Sequence, residues 1–215
     1  MTRTTLACIL LRLGGCRSTP GAQGLGPHGP GLTLPALTAA ELPAQELEVT
    51  PLDLEGVRGG RIAFTLDGSP SQVLEMLLDF EQATGRRAWA RTYELLSREQ
   101  GVVTARWIFK GRFGINPKVV LEFRSQELPE ALVVTYELVQ AGFGMAAFFG
   151  DYRVFPVNGD AERSILEERV FIDSGLRFAN ASAEDIEDGL REDANTLRAW
   201  MLVRRGKAPS SGTPR

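Results

Sequence analysis

The sequence predicts an α+β domain, a curved antiparallel sheet wrapped around one long C-terminal helix. Three observations carry this. Between residues 61 and 173 the chain alternates apolar and polar residues with period two, in runs broken by Gly, Pro and Asn. One short helical pattern follows the first run. The last segment, Ala183 to about Arg205, places Ile186, Leu190, Ala194, Leu197 and Met201 at helical spacing, with Trp200 beside them and charges on its other faces. Strands gathered apart from helices mean α+β. A single apolar stripe on a long helix needs a concave apolar surface to cover it.

Arg61 to Leu66 alternates and reads as a strand, with an earlier extended piece within Glu46–Leu54. Ser69-Pro70-Ser71-Gln72 starts a helix: Ser69 is the cap, Pro70 suits the first helical position and Gln72 completes a capping box. Val73, Leu74, Leu77 and Leu78 form its apolar face, and Gly85 is the expected stop. Six strands follow, at Arg91–Arg98, Val102–Phe113, Lys118–Ser125, Leu132–Gln140, Ala147–Phe155 and Ser164–Asp173. Gly101, Asn116-Pro117, Pro129, Gly142-Phe143-Gly144 and Asn158-Gly159-Asp160 punctuate them. Ser182 and Asp185 open the last helix in a capping-box-like way, acids crowd its first turns, Arg204, Arg205 and Lys207 end it, and Gly206 closes it. Gly189 inside this helix is a place for close approach of the sheet or of a ligand.

Period two also assigns faces. Val103, Ala105, Trp107 and Phe109 share one side of their strand, as do Val119, Leu121 and Phe123, and Leu132, Val134, Tyr136 and Leu138. Phe148, Gly150, Tyr152 and Val154 are opposed by Asp151 and Arg153, and Leu166, Glu168, Val170 and Ile172 form the last set. Turned inward, these sets enclose the helix. The expected lining is Trp107, Phe123, Tyr136, Tyr152, Glu168 and Val170, with Leu190, Ala194 and Leu197 opposite. An apolar interior with a few polar groups is the usual chemistry of a small-molecule site, although inward aromatic faces more often form plain core.

Composition excludes several functions. A net charge of −3 argues against nucleic acid as the main partner, since phosphate binding needs a concentrated positive face. The one histidine, His28, lies in a Gly/Pro-rich stretch, and the two cysteines are Cys8 and Cys16. The expected domain therefore holds no His/Cys metal site and no Ser-His-Asp or Cys-His machinery, and implies no cofactor. Arg86, Arg87 and Arg91, with Trp89 among them, read as a solvated loop rather than a headgroup site.

Residues 1–16 run from a basic start through Leu6-Ala7-Cys8-Ile9-Leu10-Leu11 to small residues, the layout of a signal peptide. Leu13-Gly14-Gly15-Cys16 resembles a bacterial lipobox, which implies lipidation at Cys16, a membrane contact through that anchor and a place in the cell envelope; the alternative is a cytoplasmic protein with an apolar tail. Residues 17–44, rich in Gly and Pro, read as a flexible tether, and 207–215 as a loose tail. The domain is placed at residues 46–206.

Ser69-Pro70-Ser71-Gln72-Val73-Leu74-Glu75-Met76-Leu77-Leu78-Asp79-Phe80-Glu81, Phe109 to Pro117, Gly150 to Val154 and Glu168 to Asp173 together resemble the START-like helix-grip superfamily, also called SRPBCC, with its polyketide cyclase/dehydrase and coenzyme Q-binding groups. The likeness runs from about Gly60 to Arg205, with Leu74 standing where the family commonly has Trp. The resemblance implies a helix-grip fold with a cavity between sheet and C-terminal helix that takes lipids, quinones or polyketides. It leads to three functional expectations: carriage of a small apolar ligand without catalysis, a polyketide cyclase, aromatase or dehydratase, or an envelope interaction protein with a filled interior. In the enzyme, Glu168 would act as acid/base with Tyr136 or Tyr152 as hydrogen-bond donors. The simpler expectation for Glu168 is a strand residue bonded to a tyrosine or turned to solvent by a bulge. Oligomeric state is not legible.

Overall fold

The structure, a computed structural model, describes residues 47–54, 56–80, 90–110, 116–175, 180–204 and 206. Cys16, the 17–44 tether, His28, Gly85 and the 207–215 tail lie outside them. Eight strands form one antiparallel sheet in the order β1-β2-β8-β7-β6-β5-β4-β3. They are β1 (Val49–Leu54), β2 (Val57–Asp67), β3 (Ala90–Glu99), β4 (Val102–Phe109), β5 (Lys118–Glu127), β6 (Leu132–Gln140), β7 (Ala147–Val157) and β8 (Asp160–Asp173). Helix α1 (Pro70–Leu78) follows β2 and α2 (Ala183–Arg204) ends the domain. Among the described residues, no helix is long and apolar enough to cross a membrane.

Local chemistry sets both helix starts and the close of α2 as the sequence predicts. At α1, Gln72 N–H donates to Ser69 Oγ and Ser69 N–H to Gln72 Oε1, a complete capping box. At α2, Ser182 N–H donates to Asp185 Oδ2 at 2.7 Å and Asp185 N–H to Ser182 Oγ at 3.1 Å. Gly206, at φ 69°, donates to the Val203 carbonyl beyond the other end.

Four boundaries differ from expectation by four residues or more, the first being β2, which begins at Val57 rather than Arg61. Helix α1 stops at Leu78, ahead of Gly85, because Asp79 N–H turns back to the Met76 carbonyl at 3.3 Å and Phe80 turns into the core. Strand β4 stops at Phe109, whose N–H bonds the Pro117 carbonyl at 2.9 Å, rather than running to Phe113. Strand β8 begins at Asp160, not Ser164. Asp160-Ala161-Glu162-Arg163 lacks an apolar alternation, yet Asn158-Gly159 turns the chain tightly enough to pair Val157 with Asp160.

The inward sets pack as one core with α1 and α2. Helix α2 lies along β2 and β1, and α1 lies over β7, β6 and β8. The close approach of α2 is made on the sheet side. A Cβ on Gly60 would sit 2.7 Å from Leu190 Cδ1 and 2.9 Å from Ile186 Cγ2, so the bare backbone of β2 gives the helix its seat.

Candidate functional site: an aromatic interior

The concave face carries a continuous run of rings, one or more from each strand from β3 to β7. Tyr93 meets Trp107 edge-on at 4.7 Å between centroids. Trp107 stacks with Phe123 at 5.7 Å, Phe123 meets Tyr136 at 5.7 Å, and Tyr136 meets Tyr152 at 5.2 Å. Tyr93 and Trp107, and Phe123 and Tyr136, are direct cross-strand partners, while Trp107–Phe123 and Tyr136–Tyr152 meet diagonally on the same face, which period two places inward. Phe80, Phe109 and Phe148 add rings in front of Trp107 and Phe123.

All nine residues expected to line the interior are buried on this side, from Leu190 and Ala194 at zero exposure to Tyr136 and Tyr152 at 3%. They are not arranged uniformly. The α2 stripe rests on β2, with Leu190 over Gly60, while the rings that meet Trp107 and Phe123 include Phe80, just past α1. The interior is therefore bordered by α2 on one side and by aromatic rings on the other.

Three polar features stand inside this apolar surround. Glu168 is 1% exposed, with β8 in unbroken register against Ile62 on β2 and Tyr152 on β7, so no bulge turns it to solvent. Asp193 of α2 is fully buried and was missed from the sequence. Its spacing, three after Leu190 and four before Leu197, puts it on the stripe, but its charge disguised it. The third is the indole N–H of Trp107, which is buried and meets no acceptor among the described residues. The Tyr136 hydroxyl, a candidate donor to substrate, instead donates to the Arg169 carbonyl at 3.2 Å. Among the described residues no group of three or more His, Cys, Asp or Glu side chains could hold a metal ion.

The opposite face of the sheet holds a second buried group. Asp151, Arg153, Glu167 and Arg169 are each at most 8% exposed. Asp151 takes Arg169 through two nitrogens and Arg153 Nε at 3.1 Å, and Glu167 pairs with Arg61 at 2.9 Å. Burial alone would lower the Arg169 pKa, but the hydrogen bond and charge of Asp151 outweigh it and hold the guanidinium above its ordinary value. Burial lowers that of Arg198, whose Nε donates to the Thr65 carbonyl at 3.3 Å and whose guanidinium lies over Phe64. Beside the cluster, Ala131, Val133, Phe155 and Ile165 form a small separate apolar group. In the β6–β7 turn, Phe143 is 74% exposed while Met145 is buried in the main core.

No family model matches the sequence, and no curated protein matches it. Solved structures do share the architecture. A STAR-related lipid transfer protein fragment from Xanthomonas axonopodis aligns over 74% of this chain and 96% of its own, with TM-score 0.63 and 16% identity. The chain has the START-like helix-grip fold. An aromatase/cyclase from Streptomyces sp. R1128 aligns over 71% of this chain and 99% of its own, with TM-score 0.53 and 17% identity. The lipid transfer and protein localization domain of human StarD13 covers 78% and 87%, with TM-score 0.56 and 13% identity. At these identities the START-like likeness is one of fold, and function is argued from the site.

Proposed function

We propose that this domain binds a small hydrophobic ligand, of lipid, quinone or polyketide type, between the sheet and α2, without catalysing a reaction on it. The observation that carries the reading is the interior itself. Rings from five neighbouring strands form one wall, and the polar side chains buried with it, Glu168 and Asp193, are few. A ligand of mostly apolar surface with one or two polar atoms matches such a lining. That the fold neighbours include a lipid transfer protein, a lipid transfer domain and an aromatase/cyclase supports a hydrophobic ligand. Trp107, Phe123, Tyr136, Tyr152, Glu168, Val170, Leu190, Ala194 and Leu197 are the proposed contacts.

A filled interior is the second reading, favoured by ring centroids already at contact separations of about 5–6 Å. The variant Ala194→Trp separates the two. If the space holds a ligand, the new indole occupies it, stability changes little and apolar ligands no longer raise the melting temperature. If the interior is solid, overpacking costs about 1–3 kcal/mol. In the wild type, a ligand at a hundred times its Kd should stabilise the fold by about 2.7 kcal/mol. No shift with a panel of fatty acids and quinones, together with a large loss in the mutant, would favour the filled core.

We also propose that Cys16 is lipidated and that the domain is held at the bacterial envelope by this anchor. Cys16→Ser should release the protein from the membrane fraction of a Gram-negative host. A wild-type chain that is soluble and begins at Met1 would refute it.

A further inference from the structure

We infer that the ligand carries an oxygen acceptor, a carbonyl of ketone, quinone or ester type, which takes the indole proton of Trp107. The inference rests on the ligand-binding reading above and adds the polar chemistry and its position.

Trp107 stands on β4 at 2% exposure, ringed by Phe80, Tyr93, Phe109, Phe123 and Phe148 at centroid distances of 6.3, 4.7, 5.7, 5.7 and 6.2 Å. Carbon faces and edges supply no strong acceptor. Its Nε1–H is buried and bonds nothing among the described residues. Buried indole N–H groups usually find a partner, since leaving one unmade forfeits a bond to water without replacement. An indole is a donor only, so the complementary atom must be an acceptor. A donor-only group, such as an ammonium, would not serve. The rings around it select a planar or otherwise apolar body behind that acceptor. A flat carbonyl compound meets both demands, while a plain hydrocarbon meets only one.

The test uses a matched pair of rigid probes that differ by one oxygen, fluorenone and fluorene, measured by equilibrium dialysis against the full chain. Fluorene reports the apolar site and fluorenone adds the acceptor. Comparison of the wild type with Trp107→Phe removes the N–H but keeps a ring. The ratio of fluorene to fluorenone Kd should fall about three- to tenfold in the variant, the range of one net hydrogen bond, while the fluorene Kd reports any change in the apolar wall. A second measurement needs no variant to fold. The chain has three tryptophans, so the nitrogen-15 spectrum holds three indole resonances. One of them should move downfield with fluorenone and not with fluorene. An unchanged Kd ratio in the variant, or indole resonances that respond alike to both probes, overturns the inference while leaving the ligand site standing. That result would place the N–H against the face of a neighbouring ring such as Tyr93. Failure of both probes to bind the wild type overturns the site reading, and this inference with it.

Discussion

Replacing Asp151 with alanine is expected to lower the stability of the domain by about 3–5 kcal/mol, the cost of breaking a buried ion pair by removing one partner. The geometry explains the size. Asp151 is 4% exposed and is the carboxylate for both Arg169 and Arg153, which are 4% and 8% exposed. Three arginines and two acids make up the cluster with Arg61 and Glu167. Without Asp151, the buried guanidiniums of Arg153 and Arg169 lose the carboxylate that holds them both, and Glu167 is already bonded to Arg61. A guanidinium keeps its charge at neutral pH, so the loss should hardly depend on pH from neutral to mildly alkaline conditions. The control is Glu94→Ala, which removes a pair to Arg106 whose side chains are 43% and 58% exposed. Exposed pairs contribute about 0–1 kcal/mol. Urea unfolding of both variants checks the contrast, and a drop of about 6–20 °C in Tm should accompany the first. Equal, small losses would mean that water reaches the cluster.

This cluster also marks where sequence reading stops. Alternation along β7 correctly sets Asp151 and Arg153 on the face away from Tyr152 and Val154, because the side-chain period of a strand is fixed by its backbone. It does not say whether that face is wet. The partners of Asp151 and Glu167 lie 18 and 106 residues away in the chain, so their pairing exists only after β2, β8 and β7 align. The helix α2 shows the same division. Its stripe, cap and closing glycine are local and legible, whereas Asp193 is fully buried at stripe spacing, where a charge reads as solvent-facing. The helix is also seated by Gly60 of β2, which the pattern of the helix does not point to, since contact depends on what the sheet presents as much as on the helix. The aromatic interior is legible because five inward sets share one chemistry. The missing acceptor at Trp107 is not, because satisfaction of a donor is a property of its surroundings and not of its residue type.

Gly150→Ala is expected to cost about 2–4 kcal/mol, from overpacking together with a strained or lost hydrogen bond. Gly150 sits in the middle of β7, paired with Tyr136 of β6 on one side and Val170 of β8 on the other. Its lack of a side chain lets the Tyr136 ring lie across β7, so that the hydroxyl donates to the Arg169 carbonyl on β8 at 3.2 Å. A Cβ at Gly150 would stand 2.0 Å from that carbonyl oxygen and 2.5 Å from the Tyr136 hydroxyl. Both separations are shorter than any real carbon contact, and the two obstacles differ in kind. The tyrosine can swing aside at the expense of its bond and of its contact with Tyr152. The carbonyl belongs to the β8 backbone and moves only if the β7–β8 pairing opens. Tyr136→Phe distinguishes them. Alone it should cost about 1 kcal/mol, the net value of one hydrogen bond. Combined with Gly150→Ala it removes the hydroxyl obstacle but not the backbone one, so the double variant should lose less than the sum of the singles, as expected for residues in contact. A neutral Gly150→Ala would mean that β7 and β8 are farther apart here than their register requires, and the tyrosine would then be free to turn its hydroxyl toward the interior.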